Sequence, residues 1–126
     1  MSTANRVALL EEFIRAWSAK DVDALMDLMA EDCEFRSSLG AEPGTTFVGR
    51  DEVRRGYELF LGPTDEPAPE TEISGILVND DFAVVRWTSL SPDGSSVEVR
   101  ACDIFEFEGD RIKVKDTYRK VRGELR

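Results

Sequence analysis

Asp103 stands out for the company it keeps. It lies in the alternating run Val97-Glu98-Val99-Arg100-Ala101-Cys102-Asp103-Ile104-Phe105-Glu106-Phe107. In an extended strand successive side chains point to opposite faces, so Val97, Val99, Ala101, Asp103, Phe105 and Phe107 share one face. A carboxylate between Ala101 and Phe105 costs roughly 2–7 kcal/mol to bury unless it is compensated. The pattern therefore predicts a pocket with an acid in its wall. A second acid follows downstream. If Gly109-Asp110 is the loop of a two-residue hairpin, Glu108 faces Arg111. Counting back pairs Phe107 with Ile112, Phe105 with Val114, Asp103 with Asp116 and Ala101 with Tyr118. The apolar positions match across this register. It also sets the Cβ atoms of Asp103 and Asp116 about 4.5–5.5 Å apart. Carboxylates that close do not both ionise readily, so one is expected to keep its proton near neutral pH. A general acid, or a donor to a developing oxyanion, needs that property.

Arg86 is the third chemical candidate, and its direction depends on the turn at Ser91–Ser95. A two-residue Asp93-Gly94 loop puts Arg86 on the face of Asp103. A three-residue loop with a bulge turns Arg86 away and brings Trp87 in, and turn chemistry slightly favours this. Trp17, Tyr57, Phe60 and Tyr118 are candidate lining residues, although such aromatics taken singly are more often plain core. Two acids and an arginine can also form a satisfied polar network with no chemistry attached.

The chain has no histidine, which removes the usual triads and the commonest metal ligand together. Cys33 and Cys102 are isolated, with no CxxC spacing, so reduced thiols and no metal site are expected. A net charge of −10 over 126 residues argues against nucleic acid as a partner. No apolar run is long enough to span a bilayer, and the first residues carry no charged and apolar signal pattern, so a cytoplasmic location is the expectation. Charge is uneven: from Gly109 onward seven Lys/Arg face three Asp/Glu, a net of +4. This is either a solvated basic strand or a surface that meets acidic residues of a second copy.

The elements that must position these residues come in two blocks. Residues 4–19 repeat Val7, Leu10, Phe13, Ile14 and Trp17 at helical spacing. Asp21 is a good cap for a second helix carrying Val22, Leu25, Met26 and Met29. Cys33 to Ser37 reads as a short strand, and residues 38–49 as a loop. Asp51 is expected to cap a third helix bearing Val53, Tyr57, Phe60 and Leu61, stopped by Gly62-Pro63. After an acidic, Pro-rich connector come strands at 70–78, 82–90, 97–107 and 112–121. Helices first and antiparallel strands last predict an α+β fold in one domain over residues 1–126, with the helices on one face of the sheet.

Several segments together resemble the NTF2-like superfamily, in particular its SnoaL-like and ketosteroid-isomerase-like branch. They are Phe13 to Leu25, Ala30-Glu31-Asp32-Cys33, Val48-Gly49-Arg50-Asp51-Glu52-Val53-Arg54, Asp103 to Phe107 and Gly109-Asp110-Arg111-Ile112. The resemblance implies a cone: three N-terminal helices packed on a curved, mainly antiparallel sheet, an apolar pocket inside, and a homodimer formed through the sheet. The isomerase's oxyanion-hole aspartic acid matches Asp103. Its tyrosine falls on Phe13 and its general base near Ser37, so that reaction is not expected. The limonene epoxide hydrolase pattern matches Arg86 and Asp116 but sets Thr88 where an aspartate belongs. This match favours Arg86 facing inward, against the turn argument. The SnoaL-type cyclases, which rely on a pocket aspartate, are contradicted least.

The resulting expectation is a small protein doing acid/base chemistry on an apolar carbonyl compound, without a cofactor or metal. Asp103, Asp116 and Arg86 would carry the chemistry, and Phe13, Trp17, Tyr57, Phe60, Phe105, Val114 and Tyr118 would line the pocket. The alternative is a ligand-binding or dimeric scaffold domain that catalyses nothing.

Overall fold

The first helix starts where Ser2 can cap it: the Asn5 amide donates to Ser2 Oγ at 3.2 Å. In the computed structural model, which describes residues 2–125, this helix, α1, spans Thr3–Ser18 and buries Leu10, Phe13 and Ala16. The chain leaves it through Lys20, whose φ of +54° is in the left-handed region. Lys20 Nζ donates to the Pro63 carbonyl at 2.9 Å, which holds the corner. Asp21 then caps α2 (Val22–Asp27) by accepting the Ala24 amide at 3.0 Å.

The helical pattern through Met29 predicts a longer α2. Instead Met29 opens strand β1 (Met29–Arg36). The Leu28 carbonyl accepts the Ile112 amide at 2.9 Å. The Arg50 guanidinium donates to the Met26 carbonyl at 3.0 Å and to the Met29 carbonyl at 2.9 Å. Carbonyls left over at a helix end need donors from elsewhere, and here a strand and an arginine supply them.

Strand β2 (Thr46–Val48) lies inside the stretch that reads as a loop. Helix α3 (Arg50–Leu61) starts one residue ahead of the expected cap Asp51. Gly49, at φ +88°, holds the cap position, while Asp51 and Glu52 sit in the first turn, where the helix dipole favours acids. Gly56 lets α3 lie directly on the sheet, because a Cβ there would come within 2.7 Å of the Phe47 ring.

Strands β3 (Thr71–Val78), β4 (Phe82–Leu90), β5 (Val97–Glu108) and β6 (Arg111–Arg119) complete a six-stranded sheet ordered β2-β1-β6-β5-β4-β3. The β1–β6 pairing is parallel and the others are antiparallel. Register shifts interrupt the β1–β6, β3–β4, β4–β5 and β5–β6 ladders, and such bulges bend strands and add twist. The helices cover one face of the sheet. Leu10, Phe13, Met26, Phe35, Tyr57, Val85, Phe105 and Ile112 belong to a single core between the two layers. This is the expected α+β arrangement of three helices on a curved, mainly antiparallel sheet. Among the described residues, no helix is long and apolar enough to cross a membrane.

Candidate functional site

The geometry of the site is set by one residue that has no partner. The β5–β6 hairpin closes as the turn chemistry predicts, with Glu108 opposite Arg111 and Phe107 opposite Ile112. The ladder then shifts. Glu106 faces Val114, so Lys113 is left over as a bulge, and every later pair moves by one. Phe105 now faces Lys115, Asp103 faces Thr117, and Asp116 faces Ile104. A shift of one residue exchanges the two faces of a strand. The expected confrontation of Asp103 with Asp116 therefore does not form, because the bulge at Lys113 puts them on opposite faces.

A lysine takes the place of the second acid. Lys115 is 4% exposed and Asp103 is 8% exposed. Lys115 Nζ donates to Asp103 Oδ1 at 3.2 Å and to Thr117 Oγ1 at 2.7 Å, and the Thr117 hydroxyl donates to the same Asp103 Oδ1 at 2.6 Å. The ammonium also lies 4.6 Å from the centroid of the Trp17 ring and 4.9 Å from that of Phe35. Aromatic faces attract a cation at such distances. A buried lysine is costly alone. Here a carboxylate, a hydroxyl and two rings compensate it.

Around this group is a cavity of about 130 Å³ lined by Phe13, Trp17, Phe35, Phe60, Val85 and Phe105, with Asp103, Lys115 and Thr117 in its wall. Phe13 meets Phe105 edge-on with centroids 5.3 Å apart and stacks on Trp17 at 6.0 Å. Among the described residues nothing bonds Asp103 Oδ2. The site thus offers an unshared carboxylate oxygen and an ammonium with one N–H to spare, on two residues that line a mostly apolar space. That pairing can take a proton from carbon and stabilise negative charge on a neighbouring oxygen.

The other expected residues lie elsewhere. Asp116 is on the outer face, with Arg36 Nη1 3.7 Å from its Oδ2 and the Tyr118 hydroxyl donating to the same oxygen at 3.3 Å. Tyr118 is 55% exposed there, and the negative charge of Asp116 raises its phenol above the usual value. Val114, opposite Glu106, is buried at 3% exposure but is not part of the cavity wall. Arg86 is exposed, opposite Cys102, while Trp87 faces inward opposite Ala101. The register shift between Ser89 and Leu90, which leaves Glu98 of β5 over, produces this. Trp87 faces in as the turn argument predicts, but the connection is longer than three residues, with the Ser91 amide donating to the Ser96 carbonyl at 2.8 Å. The epoxide hydrolase match is not met. Tyr57 is fully buried beneath Phe13, Trp17 and Phe35 and is not part of the cavity wall. Its hydroxyl donates to Met29 Sδ at 3.4 Å, and burial pushes the phenol well above its usual pKa. Phe13, Trp17, Phe60 and Phe105 do line the cavity. The sequence reading missed Lys115, Thr117, Ser38 and Arg119. The available signal was Asp103 itself, since an acid on an apolar face asks for a cation.

Comparison with known proteins agrees with this architecture. The SnoaL-like domain pattern matches residues 10–114. The chain belongs to the SnoaL-like domain family. Among solved structures, this SnoaL-like chain is similar to an NTF2-like protein of unknown function from Mesorhizobium loti, with 24% identity, 94% and 93% of the two chains covered and a TM-score of 0.76. It is also similar to a SnoaL-like protein of unknown function from Burkholderia thailandensis, with 21% identity, 96% and 99% covered and a TM-score of 0.76. A de novo designed protein with a curved β-sheet matches at 14% identity, with 93% and 86% covered and a TM-score of 0.71. No curated protein matches the chain. These likenesses describe a fold, and a fold shared with a designed protein does not specify chemistry.

Proposed function

We propose that this SnoaL-like protein is a cofactor-independent enzyme that moves a proton on a small apolar carbonyl compound. The observation that carries this reading is the buried Lys115–Asp103 pair, with Asp103 Oδ2 unshared in an aromatic cavity. Asp103 Oδ2 takes a proton from the carbon next to the carbonyl. The C–H electron pair becomes a C=C bond, and the carbonyl π pair moves to oxygen. The free N–H of Lys115 donates to that oxygen as it gains charge. Asp103 then returns the proton at the same or another carbon, giving exchange or isomerisation. Thr117 orients both groups. The aromatic walls exclude water and strengthen each electrostatic contact.

A second reading also rests on an observation. Lys115, Asp103 and Thr117 already satisfy one another, and such a network also suits a binding protein whose polar groups only orient a ligand. In either case we place a second copy of the chain on the outer face of the sheet. Leu77, Val84 and Ile104 form one apolar row there, and Leu77 is 73% exposed.

Hydrogen–deuterium exchange next to the carbonyl separates the two readings. A panel of small aryl and cyclic ketones in D2O is expected to include compounds whose α-hydrogens exchange faster with the protein present. Asp103→Asn is expected to slow that exchange on the order of 10²–10⁴-fold, the range of general base catalysis. Ligands that bind without faster exchange would leave the binding reading in place.

A further inference from the structure

The rung of the sheet next to Asp103 carries its smallest side chain in its centre. Trp87 on β4, Ala101 on β5 and Arg119 on β6 are directly paired neighbours across three strands, and Trp87 and Arg119 both line the cavity. Ala101 puts only a methyl group between a large ring and a long cation. Apart from the unshared Asp103 Oδ2, two unpartnered groups of this cavity can donate. Trp87 Nε1 and Ser38 Oγ are shielded from solvent, have no hydrogen-bond partner and line the same cavity. Buried polar groups without partners are uncommon in folded proteins. Arg119 forms no ion pair or side-chain hydrogen bond with the described residues and is exposed. It begins a basic run with Lys120 and Arg122 on a chain of net charge −10.

We infer that the space over Ala101 is a carboxylate subsite and that the compound bound is an apolar oxo acid. This rests on the proton-transfer reading and names its substrate class. The carboxylate accepts from Arg119, Trp87 Nε1 and Ser38 Oγ, and the ketone oxygen accepts from Lys115. Residues Ala101 and Asp103 are two apart on one strand, about 6.5 Å along it. The carboxylate and the reacting carbonyl are therefore separated by several bonds rather than adjacent. Planar guanidinium groups favour carboxylates over neutral oxygens, which makes Arg119 the residue that selects the acid.

The test compares 4-benzoylbutanoate with 4-benzoylbutanamide, which share shape and ketone but differ in charge. The chain's two tryptophans, Trp17 and Trp87, both line the cavity, so their fluorescence reports occupancy. The acid is expected to bind about fivefold more tightly than the amide. Arg119→Gln removes that preference and leaves the amide unaffected. Trp87→Phe, read through Trp17, weakens the acid more than the amide. Arg100→Gln removes the same charge from the opposite face and is expected to change neither affinity. Equal binding of acid and amide, or equal effects of Arg119→Gln and Arg100→Gln, would overturn the carboxylate subsite and leave the proton-transfer reading standing. No saturable quenching by either compound into the millimolar range, where a ligand this small binds even at modest efficiency, would overturn both.

Discussion

Lys115 Nζ lies 3.2 Å from Asp103 Oδ1 inside the sheet, and the pair exists because Lys113, two residues earlier, has no partner across the hairpin. The bulge decides which charged residues enter the core. Several outcomes can be measured on that basis.

Asp103→Asn and Lys115→Met alone each leave one buried group without its opposite charge. Breaking a buried pair from one side typically costs about 3–5 kcal/mol. The double variant removes both charges and is expected to recover most of that loss. Urea unfolding of the four proteins gives the coupling, and additive losses would mean that the two groups do not sense each other.

Lys113 is expected to matter as a position rather than as a side chain. It is partly exposed and only 3.8 Å from Asp32 and 4.0 Å from Glu108 at its charged end. Lys113→Ala should cost no more than about 0.5 kcal/mol. Deleting Lys113 removes the bulge, turns Lys115 outward and brings Asp116 in opposite Asp103. That variant is expected to lose its cooperative unfolding transition, followed by circular dichroism.

Gly56→Ala tests the contact of α3 with the sheet. The added methyl would lie 2.7 Å from the Phe47 ring, so the helix or the ring must move. A loss of about 1–3 kcal/mol is expected, the usual cost of overpacking. A neutral or stabilising result would mean that α3 does not lie this close.

Tyr57 makes alkaline stability readable. Its folded-state pKa is raised above the unfolded value of 10.0, chiefly by burial. A raised value means that the contribution is fully present below pH 10 and is lost as pH climbs beyond it toward the folded value. The native chain should therefore lose stability more steeply above pH 10 than Tyr57→Phe. Phenolate absorbance from Tyr57 should appear together with unfolding rather than before it.

Leu77→Glu places a charge in the apolar row on the outer face. Sedimentation velocity is expected to show a dimer for the native chain and a monomer for this variant, with an unchanged circular dichroism spectrum. Identical sedimentation of both proteins would remove the proposed second copy from that face.

Much of this arrangement can be read from the residues. The alternation around Asp103 identifies both the strand and its inward face, and Gly109-Asp110 identifies the loop that ends it. The bulge at Lys113 leaves no such trace, because no glycine, proline or turn former marks it. Ile112-Lys113-Val114 alternates as well in the unshifted register as real strands do. The parallel neighbour β1, which sets Phe35 beside Lys115, comes from a distant part of the chain. Strand β2 was hidden for a similar reason, since three residues pair only because β1 is already in place. Trp87 is the opposite case. Local turn chemistry pointed it inward, and a partial motif match on Arg86 pointed the other way. Trp87 does face inward, through Glu98 of β5, which is left over where Ser89 faces Val99 and Leu90 faces Val97.

The central claim is that Lys115 and Asp103 are paired within the aromatic cavity. Proton NMR of the Lys115 side chain tests it most directly. With Nζ 4.6 Å and 4.9 Å from the Trp17 and Phe35 ring centroids, its ε-methylene protons should be shifted strongly upfield by ring currents and show Overhauser contacts to both rings. Asp103→Asn should perturb those signals more than Asp116→Asn does. Lys115 signals at ordinary solvent-exposed positions, with Overhauser contacts from Asp116 to Trp17 instead, would contradict the pairing and the chemistry built on it.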